Sequence, residues 1–223
     1  MSKSQYADQP KPDHHAPHGS HFEVPQDHEI DFELRFRPSG IDKPLAATLD
    51  AEPVPDQQTS RALHLIPLSI LSWRVKAGES GTLEQRWVSP IDIDVPLVSI
   101  RAGRRIRGAS ISVDGKRVFD IPDWDPHWQQ TWEIPNLRMS KGMQVVATFK
   151  VDNSEENPRN PEPPRDMQFG RRTGALGIWL HAAAIDPVDQ GTLQQIHRSI
   201  FEAQQSEPVQ TPRQIEQSPK TSP

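Results

Sequence analysis

The sequence of 223 residues contains no cysteine. This absence excludes a disulfide scaffold, a thiolate zinc site, an iron–sulfur cluster and catalysis by a cysteine nucleophile. Long apolar runs are lacking too, because the two longest, residues 62–71 and 175–185, are much shorter than the roughly 20 residues that span a bilayer. The start of the chain has no apolar stretch typical of a secretory signal. We therefore expect no transmembrane segment, and a location in the cytoplasm or on the cytoplasmic face of a membrane complex.

Hydrophobic residues are scarce at 34% of the chain, whereas the 23 prolines are about twice the usual share of roughly 5%. Many of these prolines lie near the two ends of the chain, which also lack hydrophobic periodicity. Residues 1–23 and 206–223 are therefore expected to be disordered tails. The part between the tails has the composition of a single folded domain.

Between residues 24 and 188, segments rich in Val, Ile, Phe and Trp are separated by Pro, Gly, Asn and Asp at short intervals. This pattern predicts an all-β fold, a jelly-roll-like antiparallel β-sandwich. The pair Asp114 and Gly115, between two such segments, predicts a tight hairpin. The expected strands are residues 29–36, 61–71, 84–88, 95–101, 106–113, 117–121, 130–134, 143–151 and 175–183.

After residue 188 the pattern changes from strands to a helix. Leu193, Ile196 and Ile200 repeat at helical spacing and predict one short amphipathic helix within residues 189–205. We expect this helix to pack on the sandwich or on a partner.

Four histidines, His14, His15, His18 and His21, lie close together near the start of the chain. Imidazoles are ligands for copper, nickel and zinc, so this group is a candidate for weak metal binding. Because a tail must become ordered to form a metal site, we expect these histidines to be solvated instead.

Two further segments combine polar side chains with prolines. Residues 121–128 contain Asp123, Asp125 and His127, which could form a metal or acid–base site, but the flanking tryptophans favour a structural turn. Residues 151–165 are rich in Asp, Asn and Pro, which is typical of a rigid loop held by hydrogen bonds from side chains to the backbone. Calcium binding is the alternative for this loop, although the spacing of an EF-hand is absent.

Residues 96–119 carry a local net charge of +5, while the whole chain has a formal net charge of -5. By strand parity, Arg101, Arg105 and Arg107 are expected on one face as a basic stripe. Such a stripe attracts anions, but it lacks the interleaved aromatic residues of a nucleic-acid platform. We therefore predict contact with an acidic surface of a protein partner, and no binding of nucleic acid. The expected partner-binding residues are Arg101, Arg104, Arg105, Arg107, Arg159 and Arg165.

Three stretches of the chain carry a resemblance to a known family: IPDWDPHWQQTWEIP at residues 121–135, the dipeptide at 141–142, and VDNSEENPRNPEPPRDMQFG at residues 151–170. They resemble the C-terminal domain of copper type II, ascorbate-dependent monooxygenases, the superfamily of peptidylglycine alpha-hydroxylating monooxygenase, especially its bacterial members. Weaker similarity at residues 36–40 extends the coverage to roughly residues 28–186. The resemblance implies a jelly-roll-like sandwich. It also implies export, so that a periplasmic location is the alternative to a cytoplasmic one.

The resemblance implies copper held by imidazoles and one thioether, but the matching positions differ in this chain. Val98 and Ile100 stand where the family has a His-x-His pair, Gly177 stands near the family's Met, and Arg35 replaces a further His. The copper site is therefore degenerate. We expect no copper, no other cofactor and no catalytic residues.

Three functions are compatible with these observations. The first is a non-catalytic binding or assembly module derived from the monooxygenase domain, serving as a structural subunit of a larger protein complex, either with or without association with a membrane. The second is a copper-dependent monooxygenase with unorthodox ligands, drawn from His64, His127, His181 and the N-terminal histidines. The third is a lectin-like sandwich that binds a ligand through exposed tryptophans. The changed copper positions favour the first.

Overall fold

A computed structural model of the chain describes residues 20–22, 60–126, 130–160, 163–170, 176–206 and 212–217. The strand expected at residues 29–36 lies outside these residues. The strands are β1 (Ser20–Phe22), β2 (Arg61–Ile70), β3 (Trp73–Val75), β4 (Ser80–Val88), β5 (Ile93–Arg101), β6 (Ile106–Val113), β7 (Lys116–Ile121), β8 (Thr131–Glu133), β9 (Arg138–Met139), β10 (Gln144–Asp152), β11 (Met167–Phe169), β12 (Leu176–Ala184) and β13 (Glu216–Gln217). After β12 come a short 3-10 helix (Pro187–Asp189) and the α-helix α1 (Gln190–Ser206).

The strands form two large sheets and a small one. The first sheet has the order β1-β2-β12-β5-β8, with β9 also paired to β5, and the second has the order β13-β4-β10-β6-β7. Four antiparallel pairs are nested in the chain: β6 with β7, β5 with β8, β4 with β10, and β2 with β12. A long hairpin of eight strands folded over into two sheets in this way is a jelly roll. The all-β sandwich with one short C-terminal helix that the sequence predicts is confirmed.

The core lies between the two large sheets and follows the alternation of side chains along each strand. In β10, Val145, Ala147, Phe149 and Val151 are buried, whereas Lys150 is exposed. Strand β12 lies in the middle of its sheet. Its inner face is apolar, whereas its outer face carries the buried polar residue His181 and also Ala183, which packs with Leu63 and Leu97 in a second, smaller cluster.

The connection between β6 and β7 is the tight turn that the sequence predicts. Asp114 and Gly115 both have positive φ, at 47° and 79°. Two successive positive φ values are typical of a type I′ turn, whose twist matches that of the flanking strands. Glycine has no steric penalty there, and aspartate is among the residues that tolerate this conformation.

Helix α1 packs against β2 through its apolar and polar side chains. Leu193 is fully buried and joins the main core. His197 Nδ1 lies 2.8 Å from the carbonyl oxygen of Leu65, and Gln190 Nε2 lies 2.8 Å from His64 Nε2. No helix of the described residues combines the length and apolar character needed to cross a membrane.

The described parts of both tails differ from the disorder expected of them. Residues 20–22 form β1, which pairs in parallel with Arg61–Leu63. Residues 212–217 lie along β3 and β4, and Ile215 is buried there. Composition does not predict that these two segments are ordered. Backbone hydrogen bonds at sheet edges and one buried side chain hold them in place, and neither depends on a hydrophobic segment.

We expect Phe149→Ala to destabilise the fold by about 3–5 kcal/mol, since Phe149 is 0% exposed at the centre of the second sheet and its loss leaves a cavity. The control is Val88→Ala at a position that is 50% exposed, which should change the free energy of unfolding by about 0.5 kcal/mol or less. Urea denaturation of both variants measures the difference. Equal small effects would contradict the packing of the core.

Candidate functional site: an arginine cluster around Asn153

The buried side chain of Asn153 joins three parts of the chain at one end of the second sheet. Asn153 follows β10 and is 0% exposed. Its Nδ2 donates hydrogen bonds to the carbonyl oxygens of Lys76 at 2.7 Å and Arg165 at 3.0 Å, and its Oδ1 accepts one from Arg105 Nε at 3.0 Å. An amide side chain suits this position because it carries two donors and an acceptor. Asn153 therefore ties together the β3–β4 turn, the β5–β6 turn and the end of the proline-rich loop.

A second buried amide, Asn157, holds the loop itself. Its Nδ2 donates to the carbonyl oxygen of Asp152 at 2.8 Å, and its Oδ1 accepts from the backbone N–H of Arg159 at 3.1 Å. The carboxylate of Asp152 accepts hydrogen bonds from the backbone and hydroxyl of Ser154 at 2.9 and 2.6 Å. These are the bonds from side chains to the loop backbone that the Asp- and Asn-rich sequence predicts.

The structure separates the six predicted partner-binding arginines into groups. Arg107 and Arg159 share one carboxylate, that of Asp123, at 3.5 and 3.1 Å. Their charges are therefore partly compensated within the chain. Arg101 is exposed at the end of β5 in the first sheet, opposite Gly177 of β12.

The remaining three residues, Arg104, Arg105 and Arg165, form what we call the arginine cluster. The guanidinium of Arg105 lies 5.6 Å from the ring centre of Phe169, within the range of a cation–π contact. Phe169 in turn stacks on Trp73 at 4.2 Å, because β11 pairs with β3. Arg105 is thus half-buried and fixed by an aromatic ring on one side and by Asn153 on the other.

The arginine cluster concentrates positive charge. Burial, followed by the nearby charges of Arg165 and Arg104, lowers the pKa of Arg105 from its ordinary value. Arg104 and Arg165 are exposed. Within the part of the chain that the structure describes, none of the three arginines forms an ion pair with a carboxylate.

The predicted basic stripe of Arg101, Arg105 and Arg107 is wrong. Arg101 lies on β5 in the first sheet, Arg107 lies on β6 in the second, and Arg105 lies in the turn between them. The parity of side chains applies along one strand, and the chain changes sheet between residues 101 and 106. The three arginines therefore do not share a sheet face.

The three described positions that the resemblance aligns with copper ligands do not form one cluster. Val98 and Ile100 point into the apolar core, where they lie opposite Leu180 and Ile178 of β12. Gly177 lies on the other face of the sheet, since a Cβ there would meet Ser69 Oγ and the ring of Trp179. None of the three side chains offers a donor atom, so these residues do not fit a copper ion. Arg35 lies outside the described residues.

The predicted histidine ligands have other partners in the structure. His181 Nε2 lies 2.9 Å from Ser99 Oγ, and His21 Nδ1 lies 2.8 Å from Ser60 Oγ. His64 contacts helix α1 as described above. The other four candidates, His14, His15, His18 and His127, lie outside the described residues. Among the residues that the structure describes, no group of three or more His, Asp or Glu side chains could hold a metal ion.

Five of the six tryptophans lie among the described residues, at separate places in the fold, and Trp128 lies outside them. Trp124 is buried, and its Nε1 donates to the carbonyl oxygen of Ala102 at 3.3 Å, so it anchors the turn after β7 as the sequence predicts. Trp73 is buried beside Phe169. The half-buried tryptophans, Trp87, Trp132 and Trp179, lie on three different strands, β4, β8 and β12.

Comparison of the chain with protein-family models gave no match, and a search of curated proteins gave none either. The resemblance to the copper monooxygenase domain stays a prediction from the quoted residues.

The sequence did not reveal the long-range role of Asn153. Its place in an Asp- and Asn-rich loop suggests local hydrogen bonds, yet its partners Lys76 and Arg105 are 77 and 48 positions away. The signal that was available is the coincidence of a basic turn at residues 104–105 with a polar loop at 151–165 in one domain. The sequence alone does not show that the turn and the loop lie close together, because their distance depends on the strand order.

We expect Asn153→Ala to destabilise the fold by about 3 kcal/mol, since it leaves two backbone carbonyl oxygens and the half-buried Arg105 guanidinium without their partner. The matched control in the same loop is Glu155→Ala, an exposed residue that should change stability by about 0.5 kcal/mol or less. The free energies of unfolding in urea test the pair. A near-neutral Asn153→Ala would contradict the central position of this amide.

Proposed function

We propose that this chain is a non-catalytic binding module, a structural subunit of a larger complex, and that the arginine cluster docks on an acidic surface of a protein partner. The observation that carries this proposal is that Arg104 and Arg165 lie near enough to Arg105 to lower its pKa, while Asn153 binds the Arg105 guanidinium and the backbone carbonyl oxygen of Arg165. Like charges repel one another, so the folded chain maintains this arrangement at a cost. A carboxylate placed against the cluster relieves the repulsion.

The chemistry of arginine favours carboxylate groups as the ligand. A guanidinium presents planar, forked donors that match the two oxygens of a carboxylate, and it is always charged near neutral pH. Arg105 is also restrained by Asn153 and Phe169, so less side-chain entropy is lost when a partner binds. A cluster of this kind suits Asp or Glu side chains of a folded partner.

Two observations favour a protein over a nucleic acid as the partner. The aromatic ring at the cluster, Phe169, already stacks on Trp73 and contacts the Arg105 guanidinium. Single-stranded nucleic acid requires aromatic rings on which its bases can stack. The formal net charge of -5 for the whole chain also opposes binding to a polyanion outside this local patch.

The origin of the module in a copper monooxygenase domain is part of the same proposal. It rests on the resemblance of residues 121–135 and 151–170, and on the apolar side chains at Val98 and Ile100. The loop that carries the resemblance is the one that holds Arg165 against Asn153. In this proposal the chain keeps the loop of residues 151–165, which carries the resemblance, and uses it as part of a binding surface.

The test is affinity purification from the native source with the full chain as bait, in three forms. Arg104→Glu/Arg165→Glu reverses the two exposed charges of the arginine cluster, and Arg86→Glu/Arg117→Glu changes the net charge equally at exposed arginines on β4 and β7. We expect the unchanged chain and the control to retain the same protein partner. We expect the cluster variant to retain it at least about tenfold less, as for close charge pairs across an interface.

Recovery of the same partner in equal amounts by all three forms would show that docking does not use the arginine cluster. Recovery of no stable partner by the unchanged chain would contradict the assembly role. Circular dichroism of each form beforehand establishes that the substitutions leave the sandwich folded.

A further inference from the structure

The described segment near the C-terminus, residues 212–217, runs along the edge of the second sheet, and we call it the strap. Arg213 forms a parallel bridge with Trp73: its N–H donates to the carbonyl oxygen of Ser72 at 3.1 Å, and its carbonyl oxygen accepts from the N–H of Arg74 at 3.1 Å. Further on, Glu216 and Gln217 form β13, which pairs antiparallel with the start of β4. The strap therefore uses its backbone in the way that an added strand does.

The rest of the fold also contacts two side chains of the strap, those of Ile215 and Arg213. Ile215 is 7% exposed and belongs to the main hydrophobic core. Arg213 Nη1 donates to the carbonyl oxygen of Glu84 at 2.8 Å. The strap thus presents the pattern Arg-x-Ile-Glu, in which the arginine and the isoleucine are bound by side chain and the glutamate by its backbone.

The acceptor strand is shaped for this approach at Gly81. A Cβ at position 81 would overlap the carbonyl oxygen of Glu216 and the Cγ2 methyl of Ile215. Gly81 is not among the glycines with positive φ, so backbone conformation does not explain why glycine stands there. Close approach of the strap does explain it.

The strap covers an edge that would otherwise be open. Without β13, β4 is the outermost strand of the second sheet, with β10 on its other side. Free edges present unpaired N–H and C=O groups to other chains. The strap is joined to helix α1 by residues 207–211 and is bound by one buried side chain and a few backbone hydrogen bonds. Its attachment is small compared with that of the long central strands.

We propose that the β3–β4 edge is a strand-acceptor site, and that the strap of a second copy of this chain binds it in exchange for the chain's own strap. An exchanged strap makes the same contacts at Gly81, Glu84 and the β3 backbone, so the exchange needs no new chemistry. The tethered strap competes with an effective concentration in the millimolar range. Exchange is therefore a property of concentrated or co-assembled copies, and it links them into dimers.

The direct test mixes two full-length variants that are each defective in one half of the exchange. Ile215→Asp spoils the strap and leaves the acceptor intact, whereas Gly81→Val blocks the acceptor and leaves the strap intact. We expect each variant alone to sediment as a monomer and the equimolar mixture to contain a one-to-one complex. Analytical ultracentrifugation measures this difference. A mixture that contains only monomers would overturn the second copy as the occupant.

A peptide titration keeps the acceptor site testable if Gly81→Val fails to fold. The probe is the fluorescein-labelled peptide of residues 208–220, PVQTPRQIEQSPK, added to the full chain carrying Ile215→Asp. We expect saturable binding, at least about tenfold weaker binding to the unchanged chain, whose own strap competes, and no binding of a peptide with Ile215→Asp. Equal weak binding of both peptides by both proteins would overturn the acceptor site. Binding of the natural peptide without a mixed dimer would support the acceptor site but overturn the second copy as its occupant.

Discussion

One buried amide group, the side chain of Asn153, holds together three segments of the chain: two turns and the end of the proline-rich loop. It accepts from Arg105 and donates to the carbonyl oxygens of Lys76 and Arg165, so each of its hydrogen-bonding groups serves a different segment. Buried polar groups of this kind stabilise a structure only when they are fully satisfied. Here the same hydrogen bonds fix the guanidinium of Arg105 and the backbone of Arg165 at one place in the fold. Repulsion within the arginine cluster is offset by hydrogen bonds that the cluster itself helps to form.

The jelly-roll topology explains why these segments meet. Asp152 at the end of β10 lies opposite Ser80 at the start of β4, and Val151 lies opposite Ile106 at the start of β6. The turn that brings the chain from the first sheet to the second therefore ends beside the loop that leaves β10. The backbone N–H of Asp152 donates to the carbonyl oxygen of Arg105 at 2.8 Å, which places the basic turn directly against Asn153.

Local patterns predicted much of the sandwich. The strand Ile106–Val113 has the bounds expected from its apolar residues, and the Asp114–Gly115 pair forms the expected hairpin. The patterns failed where the answer depends on strand order. The parity of Arg101 and Arg107 has no meaning across two sheets, and no local feature marks Ile215, in a proline- and glutamine-rich tail, as part of the core. The hydrogen-bond partners of Asn153 could not be predicted either, because they are distant along the chain and only the strand order brings them together.

At the positions that the resemblance aligns with copper ligands, a register shift of one residue changes which face of the sheet a side chain occupies. Val98 and Ile100 face the core, while the neighbouring Ser99 faces the other side of the sheet, where it contacts His181. A shift of one position in an alignment therefore moves a candidate ligand from one face of the sheet to the other. The strand register of the structure, and not the alignment, decides which side chains share a site.

We propose that Arg104, Arg105 and Arg165, which lie near one another beside Asn153, bind carboxylate groups as one site. The most direct measurement is a titration of the full chain with a hexaglutamate peptide, followed through the Nε–Hε signals of the arginine side chains by NMR. We expect the three signals to shift together with one affinity, added salt to weaken this affinity, and the signals of Arg86 and Arg117 to shift little. Equal shifts at all exposed arginines, or shifts that differ in affinity among the three, would contradict the proposal.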